Sequence, residues 1–237
     1  VRAQCAGALP DWEARGEYVE LMPGLRLTSP RDKRFVARLG AFDVVGFLGR
    51  GGMGVVLEAF DPKLQRLVAL KVMKPELSID RRTADRFLRE ARSAARLQHP
   101  NVVTVHEVNT DTAPWFIVME YVRGKSLSSV IDCESCLRPV RAVRITLEVL
   151  AALANAHEEG IIHRDVKPGN VWLDARTETA TLADFGLAKG VDDVLHYTAE
   201  GNIVGTPWYL APEQATGRRP LDGRSDLFST GVMLFEM

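Results

Sequence analysis

Cysteine is scarce: Cys5, Cys133 and Cys136 are the only three in 237 residues. Three cannot build a disulfide framework, so a reducing compartment, cytoplasmic by default, is expected. Net charge is close to nil at −1, which leaves no global field to attract nucleic acid or an acidic membrane. No apolar run approaches the ~20 residues that cross a bilayer, so no membrane segment is expected in this stretch. The opening VRAQCAGALP has one Arg and no long apolar core, and makes a poor secretory signal. The motif G-x-x-x-x-G-K-[ST] does not occur, which excludes a P-loop. Cys133-Glu-Ser-Cys136 has the spacing of half a zinc site or of a redox pair. No second Cys pair or His-x-x-x-His completes a tetrahedral site, and no βαβ pattern surrounds it. Two ordinary thiols near a helix start are expected there.

What is present has the texture of a globular chain long enough for one large domain or two small ones. Residues 1–41 show no strong period and read as an extension or linker. From Phe42, FDVVGFLG, GVVLEAFD and LVALKVM read as strands separated by Gly-rich or Asp-Pro turns. TADRFLREARSAARL has helical texture, and HPNVVTVHEV and PWFIVMEYV read as further strands. After Gly124 the chain turns mainly helical. In RPVRAVRITLEVLAALANAH, apolar Val140, Val143, Leu147, Leu150 and Ala154 recur with an amphipathic period. The tail DLFSTGVMLFEM is apolar on nearly every side and reads as a helix buried all round. A chain stopping inside such a helix is expected to be truncated.

LGRGGMGVV places glycines at 49, 51 and 54, with Gly52 among them. A G-x-G-x-x-G that binds dinucleotides must open a helix; here VVLEAF follows and reads as a strand. The stretch is therefore a glycine hairpin, either a plain turn or a cover that folds close over a ligand with its N–H groups inward. In LVALKVM, strand alternation puts Val68, Leu70 and Val72 on one face and Ala69, Lys71 and Met73 on the other. A Lys among apolar neighbours needs a partner. At 100° per residue Phe87, Glu90, Ala94 and Leu97 form one stripe. A carboxylate in mid-stripe wants a cation, so Lys71 and Glu90 are expected to pair.

HRDVKPGNVWLDARTETATLADFG, residues 163–186, supplies Asp165, Lys167, Asn170 and Asp184. Asp with Asn offers hard oxygen ligands suited to Mg²⁺. A second Asp can take a proton from a hydroxyl, and a Lys can neutralise a migrating phosphate. Phosphate cover, cation, metal ligands and base together describe phosphoryl transfer.

The order of glycine loop, VALK, a helical Glu, HRDVKPGN, DFG and APE resembles a protein kinase of the bacterial Ser/Thr type similar to eukaryotic kinases. The likeness runs from about Phe42 to Met237. It implies an α+β bilobal fold, with a β-rich N-lobe over 42–122 and a mainly helical, incomplete C-lobe over 123–237. It implies ATP as co-substrate, Mg²⁺ (or Mn²⁺) as cofactor, and protein Ser/Thr hydroxyls as acceptors. By resemblance Gly49, Gly51, Gly52 and Gly54 cover the ATP phosphates, and Lys71 holds the α- and β-phosphates while pairing with Glu90. Asp165 looks like the catalytic base, Lys167 stands near the γ-phosphate, and Asn170 and Asp184 resemble metal ligands. Leu48, Val56 and Ala69 fall in the adenine sandwich. Met119 resembles the gatekeeper, with Glu120 and Val122 giving hinge bonds. Trp172 stands where relatives carry a smaller aliphatic floor under adenine, and the strand pair is expected to tolerate it.

The resemblance also implies regulation. Arg164 is similar to the Arg that receives a loop phosphate, with Thr198 the expected autophosphorylation site, reached within a kinase homodimer. A phosphate brings about −2 charge and three acceptors, enough to order a loop against Arg. Thr206, a second candidate for phosphorylation, is expected to belong to the substrate-docking loop. Asp226 resembles a buried Asp that anchors the HRD backbone, and Glu213 one that pairs with an Arg beyond Met237. Two other classes remain open: a pseudokinase scaffold, which would lack a counterpart of Lys71, Asp165 or Asp184, and a small-molecule kinase, which would lack GTPWYLAPE.

Overall fold

Six antiparallel strands form the larger sheet: β1 (Ala37–Leu39), β2 (Phe42–Arg50), β3 (Gly54–Asp61), β4 (Arg66–Met73), β5 (Val105–Asn109) and β6 (Phe116–Glu120), in the order β1-β2-β3-β4-β6-β5. In this computed structural model the described residues are 28, 35–51, 54–75, 77, 81–134, 136–185, 207–216 and 221–237. They form two compact units, one drawn from 1–91 with 104–121 and the other from 92–103 with 122–237.

In the first unit the period-2 pattern of the sequence becomes two faces. Val55, Leu57 and Ala59 of β3 and Val68, Leu70 and Val72 of β4 pack with Val44, Phe116 and Val118 into one core. On the opposite face Met73 and Ile117 pack against Phe87 and Ala91 of helix α1 (Arg81–Ala95). The sheet begins earlier than its texture suggests. Ala37–Leu39 pairs with β2, Thr28 bridges Arg38, and Phe35 stacks on Phe60 at 5.7 Å. A three-residue strand is too short to display a period. It is held instead by Arg38, whose Nη1 donates to Asp43 Oδ1 at 2.9 Å while Nε and Nη2 reach the carbonyls of Gly40 and Ala41. One extra β2 residue at Val45 and another at Leu48 break the β2–β3 register as bulges.

The hairpin between β2 and β3 closes through Gly51 N–H to Gly54 O at 2.9 Å. Its glycines have different reasons to be there. A Cβ at Gly54 would lie 1.8 Å from the carbonyl oxygen of Val72, whereas one at Gly49 or Gly51 would meet nothing within 4 Å. Gly54→Ala should therefore destabilise the chain by about 1–3 kcal/mol through backbone overpacking, and Gly51→Ala should leave stability within about 0.5 kcal/mol. Urea denaturation of the two variants checks the contrast.

The second unit carries a small sheet of β7 (Gly124–Ser126), β8 (Val171–Asp174) and β9 (Ala180–Leu182). Its helices are α2 (Leu127–Glu134), α3 (Pro139–Glu158), α4 (Pro212–Ala215) and α5 (Arg224–Glu236). Val103 N–H donates to Leu182 O, and Asn101 Nδ2 to Ala180 O at 2.7 Å, so the segment after α1 joins this unit.

Two helices depart from the sequence reading. The stripe expected to be the inner face of α3 is its outer one: Val140 is 84% exposed, and Val143 and Leu147 are also exposed. Ala142, Ile145, Val149, Ala152, Leu153 and Ala156 are buried instead. Both stripes are apolar, and the small Ala residues allow β9 and α5 to approach closely. In α5 the buried residues are Ser225, Asp226, Ser229, Thr230 and Met233, while Leu227, Phe228, Leu234 and Phe235 are exposed. Polar side chains can face inward because they are satisfied there. Ser229 Oγ donates to Tyr209 O and Ser225 O, and Thr230 Oγ1 to Asp226 O.

Candidate active site

In the first unit, Lys71 lies on β4 between cross-strand neighbours Val56 and Ile117, and is only 8% exposed. Ala69 pairs in register with Met119, and Val68 with Glu120. By strand alternation Val56, Ala69, Lys71 and Met119 share the sheet face that carries α1. Glu90 belongs to α1, but its side chain, like Gly52, falls outside the described set. Leu48 occupies the second bulge and is half-buried, as are Val122 and Trp172. Trp172 pairs with Ser126 and Thr181 and points away from the buried side of β8, where Val171 and Leu173 lie.

The second unit brings Asp165, Lys167 and Asn170 into direct contact. Lys167 Nζ lies 2.6 Å from Asp165 Oδ2. Asn170 Nδ2 donates to the Asp165 carbonyl at 2.8 Å and to Oδ2 at 3.1 Å. Asn170 stands at the end of a short 3₁₀ turn, Pro168–Asn170, whose Pro opens it and whose exit leads directly into β8. The Asn170 carbonyl accepts from Ala183 N–H, continuing the β8–β9 ladder to the residue before Asp184. Asp184 therefore lies beside Asn170 along the backbone. With its amide nitrogen turned toward Asp165, Asn170 offers its oxygen on the other side of the amide, and an amide oxygen with a carboxylate such as that of Asp184 is the kind of hard donor set that Mg²⁺ takes. Among the described residues no cluster of three or more His, Cys, Asp or Glu could enclose a metal. Mg²⁺ needs no such cage, since it takes one or two carboxylates and leaves the rest to water and phosphate.

Behind these residues lies a buried polar network. Asp226 is 0% exposed and accepts from His163 N–H at 2.9 Å, Arg164 N–H at 2.7 Å and the His157 ring at 2.8 Å. His163, also buried, takes the Asp165 N–H on Nδ1 at 3.2 Å and meets the Ala183 carbonyl with Nε2 at 2.9 Å. The first contact requires a bare Nδ1 and the second a protonated Nε2, which assigns the tautomer. The ring also packs edge-on against Phe185 at 4.7 Å. His163 thus braces both Asp165 and the segment that carries Asp184.

Arg164 and Asp184 have φ of 65° and 63°. For residues with side chains this region costs about 1–3 kcal/mol, and it persists only where the surroundings enforce it. Neither the strain nor His157, Gln214 and Gly223 stood out as a motif, and His163, though it opens HRDVKPGN, is given no role by the sequence alone. Gly223 is bare because a Cβ would sit 2.6 Å from the His157 ring. Gln214, 4% exposed, bonds the Arg164 carbonyl. Glu213 accepts from Ser225 Oγ at 2.7 Å, and this bond holds its carboxyl below the usual range. Tyr209 donates to Glu236, and burial together with this bond raises its hydroxyl pKa. Cys133 and Cys136 are exposed and form no disulfide; Cys133 lies in the last turn of α2, and Cys136 in the link that leads to the start of α3 at Pro139. Thr198 and Thr206 lie outside the described residues. No helix among the described residues is long and apolar enough to cross a membrane.

Comparison with known proteins agrees with this geometry. The family model for the protein kinase domain matches residues 42–237. The serine/threonine-protein kinase pkn3 of Myxococcus xanthus is 40% identical over 220 residues, covering 89% of this chain and 40% of that protein. The serine/threonine-protein kinase PknB of Mycobacterium leprae is 40% identical over 200 residues, covering 83% and 32%. The crystal structure of the Mycobacterium tuberculosis PknI kinase domain superposes with a TM-score of 0.65 at 32% identity, covering 83% of this chain and 73% of that one. The chain belongs to the protein kinase family, with the α+β fold expected from its motifs, and its relatives are bacterial Ser/Thr kinases. It spans 30–40% of the length of the first four curated relatives.

Proposed function

We propose that this domain transfers the γ-phosphate of ATP to Ser or Thr hydroxyls of proteins. The observation that carries the reading is the Lys167–Asp165–Asn170 cluster. Asp165 Oδ2 receives both neighbours, which leaves Oδ1 to accept the proton of an incoming hydroxyl. Lys167, held 2.6 Å from that carboxylate, is positioned to offset charge on the phosphoryl group as it moves. Asn170 Oδ1 and Asp184 would hold Mg²⁺, which when bound neutralises phosphate charge. In the first unit, Lys71 is assigned to the α- and β-phosphates with Glu90 as its partner. The open space over Gly49 and Gly51 suits a close approach of phosphate to backbone, with Gly52 between them in sequence. Leu48, Val56, Ala69 and Trp172 are assigned to adenine, Met119 to the gate, and Glu120 and Val122 to the hinge.

Activation by phosphorylation of Thr198 rests on Arg164. Its Nε is enclosed and makes no hydrogen bond among the described residues, which suits a donor to a phosphate oxygen. Autophosphorylation would take place in a homodimer, in the cytoplasm, with Thr206 in the docking loop.

The test is ³²P transfer from ATP onto a Ser/Thr-rich protein. Transfer should require Mg²⁺ or Mn²⁺, stop on EDTA addition, and fall by about 10²-fold or more in Asp184→Asn. Nucleotide binding with no transfer would favour a scaffold. Transfer that persists in EDTA would reject the metal assignment.

A further inference from the structure

Gln214 is buried on α4, yet both ends of its amide are used. Its Oε1 accepts the Ala211 N–H at 3.1 Å, and its Nε2 donates to the Arg164 carbonyl at 3.0 Å. The partners have opposite polarity, so the amide can sit only one way round. The first bond is half of a capping box; Ala211 has no side-chain oxygen to return the other half. The second leaves α4 altogether and reaches a residue fifty positions earlier.

That residue sits where strain is stored. Arg164 holds φ of 65°, and its N–H is fixed by Asp226 Oδ1 at 2.7 Å. Its carbonyl belongs to the same peptide plane as the Asp165 N–H, which donates to His163 Nδ1 at 3.2 Å. Asp226 therefore clamps one side of Arg164, and Gln214 the other. Without the second clamp the Arg164–Asp165 peptide keeps its N–H bond to His163 but loses the tie on its carbonyl, and it tilts, carrying the Asp165 Cα with it. We propose that Gln214 is a positioning residue, which locks the Arg164–Asp165 peptide plane and so aims the Asp165 carboxylate. This inference rests on the kinase reading for its effect on rate, but not for its effect on the peptide.

Gln214→Met keeps similar volume and removes both bonds. Gln214→Glu keeps the acceptor for Ala211 and turns a carboxylate oxygen toward the Arg164 carbonyl. Both should lower kcat by about 10- to 100-fold, the effect of losing the bond to the Arg164 carbonyl that both substitutions remove, with KM for ATP changed less than twofold. Hydrogen–deuterium exchange should speed up about tenfold at the Asp165 amide while the α3 amides around Val149 stay unchanged. Equal loss of kcat in Gln214→Glu and Gln214→Met would place the effect at Arg164 rather than at the cap. Unchanged exchange at Asp165, or a uniform rise across α3 and α5, overturns the proposal. A faster Asp165 amide in a protein whose unsubstituted form transfers no phosphate would reject the kinase reading and uphold the clamp.

Discussion

Asp165→Asn should lower kcat for phosphate transfer by about 10²–10⁴-fold with little change in KM for ATP or in thermal stability. The substitution is isosteric, so the Asn170 bond to the residue 165 carbonyl, 2.8 Å long, survives. What disappears is the carboxylate oxygen that the proposed function assigns to the hydroxyl proton, together with the charge facing Lys167. Both partners of that ion pair are more than a quarter exposed. Its contribution to stability is therefore about 0–1 kcal/mol, as for other solvent-accessible pairs. Rate and stability should thus separate cleanly. Single-turnover kinetics beside a thermal melt measure both, and activity within threefold of the unsubstituted chain would mean that the proton is accepted elsewhere.

Asp226→Ala should do the opposite, abolishing activity by undermining the fold of the second unit. Two backbone N–H groups and the His157 ring converge on this fully buried carboxylate. Truncation strands all of them, at about 1–3 kcal/mol for each unsatisfied donor. That is a large part of the roughly 5–15 kcal/mol that hold a typical domain together. Asp226→Asn retains one acceptor oxygen but turns an N–H₂ toward a remaining donor, so it should fall between the two. Urea denaturation followed by circular dichroism orders the three proteins. An unfolding free energy for Asp226→Ala within about 1 kcal/mol of the parent would show that water replaces the carboxylate.

The site was legible in the sequence to the extent that its chemistry is local. Asp165, Lys167 and Asn170 lie close together in the single stretch HRDVKPGN, and their contacts follow from a backbone that this stretch folds on itself. The placement of Lys71 followed from strand alternation, since Val68, Leu70 and Val72 do enter one core and Met73 the opposite one. The supporting shell was not legible in the same way. Gln214, His157 and Gly223 belong to no such motif, and each has a partner distant in sequence.

Two helices, one with its buried stripe on another face and one expected to be buried all round, teach the same lesson. Helix α3 has two apolar stripes, and a period reports that a stripe exists without saying which neighbour covers it. Helix α5 buries its polar residues because backbone carbonyls and amides elsewhere in the second unit are waiting for them. By itself the sequence determined which residue types were available for phosphate chemistry, in what order, and that strands precede helices, because periodicity and loop chemistry are properties of adjacent residues. Only the tertiary structure decided which helix face is buried, which glycine is forced by a neighbouring carbonyl, and what holds Arg164 in its strained conformation. Those depend on hydrogen bonds and packing between segments that are separate in sequence, from Gly54 against Val72 to Arg164 against Asp226, whose pairing no local pattern encodes.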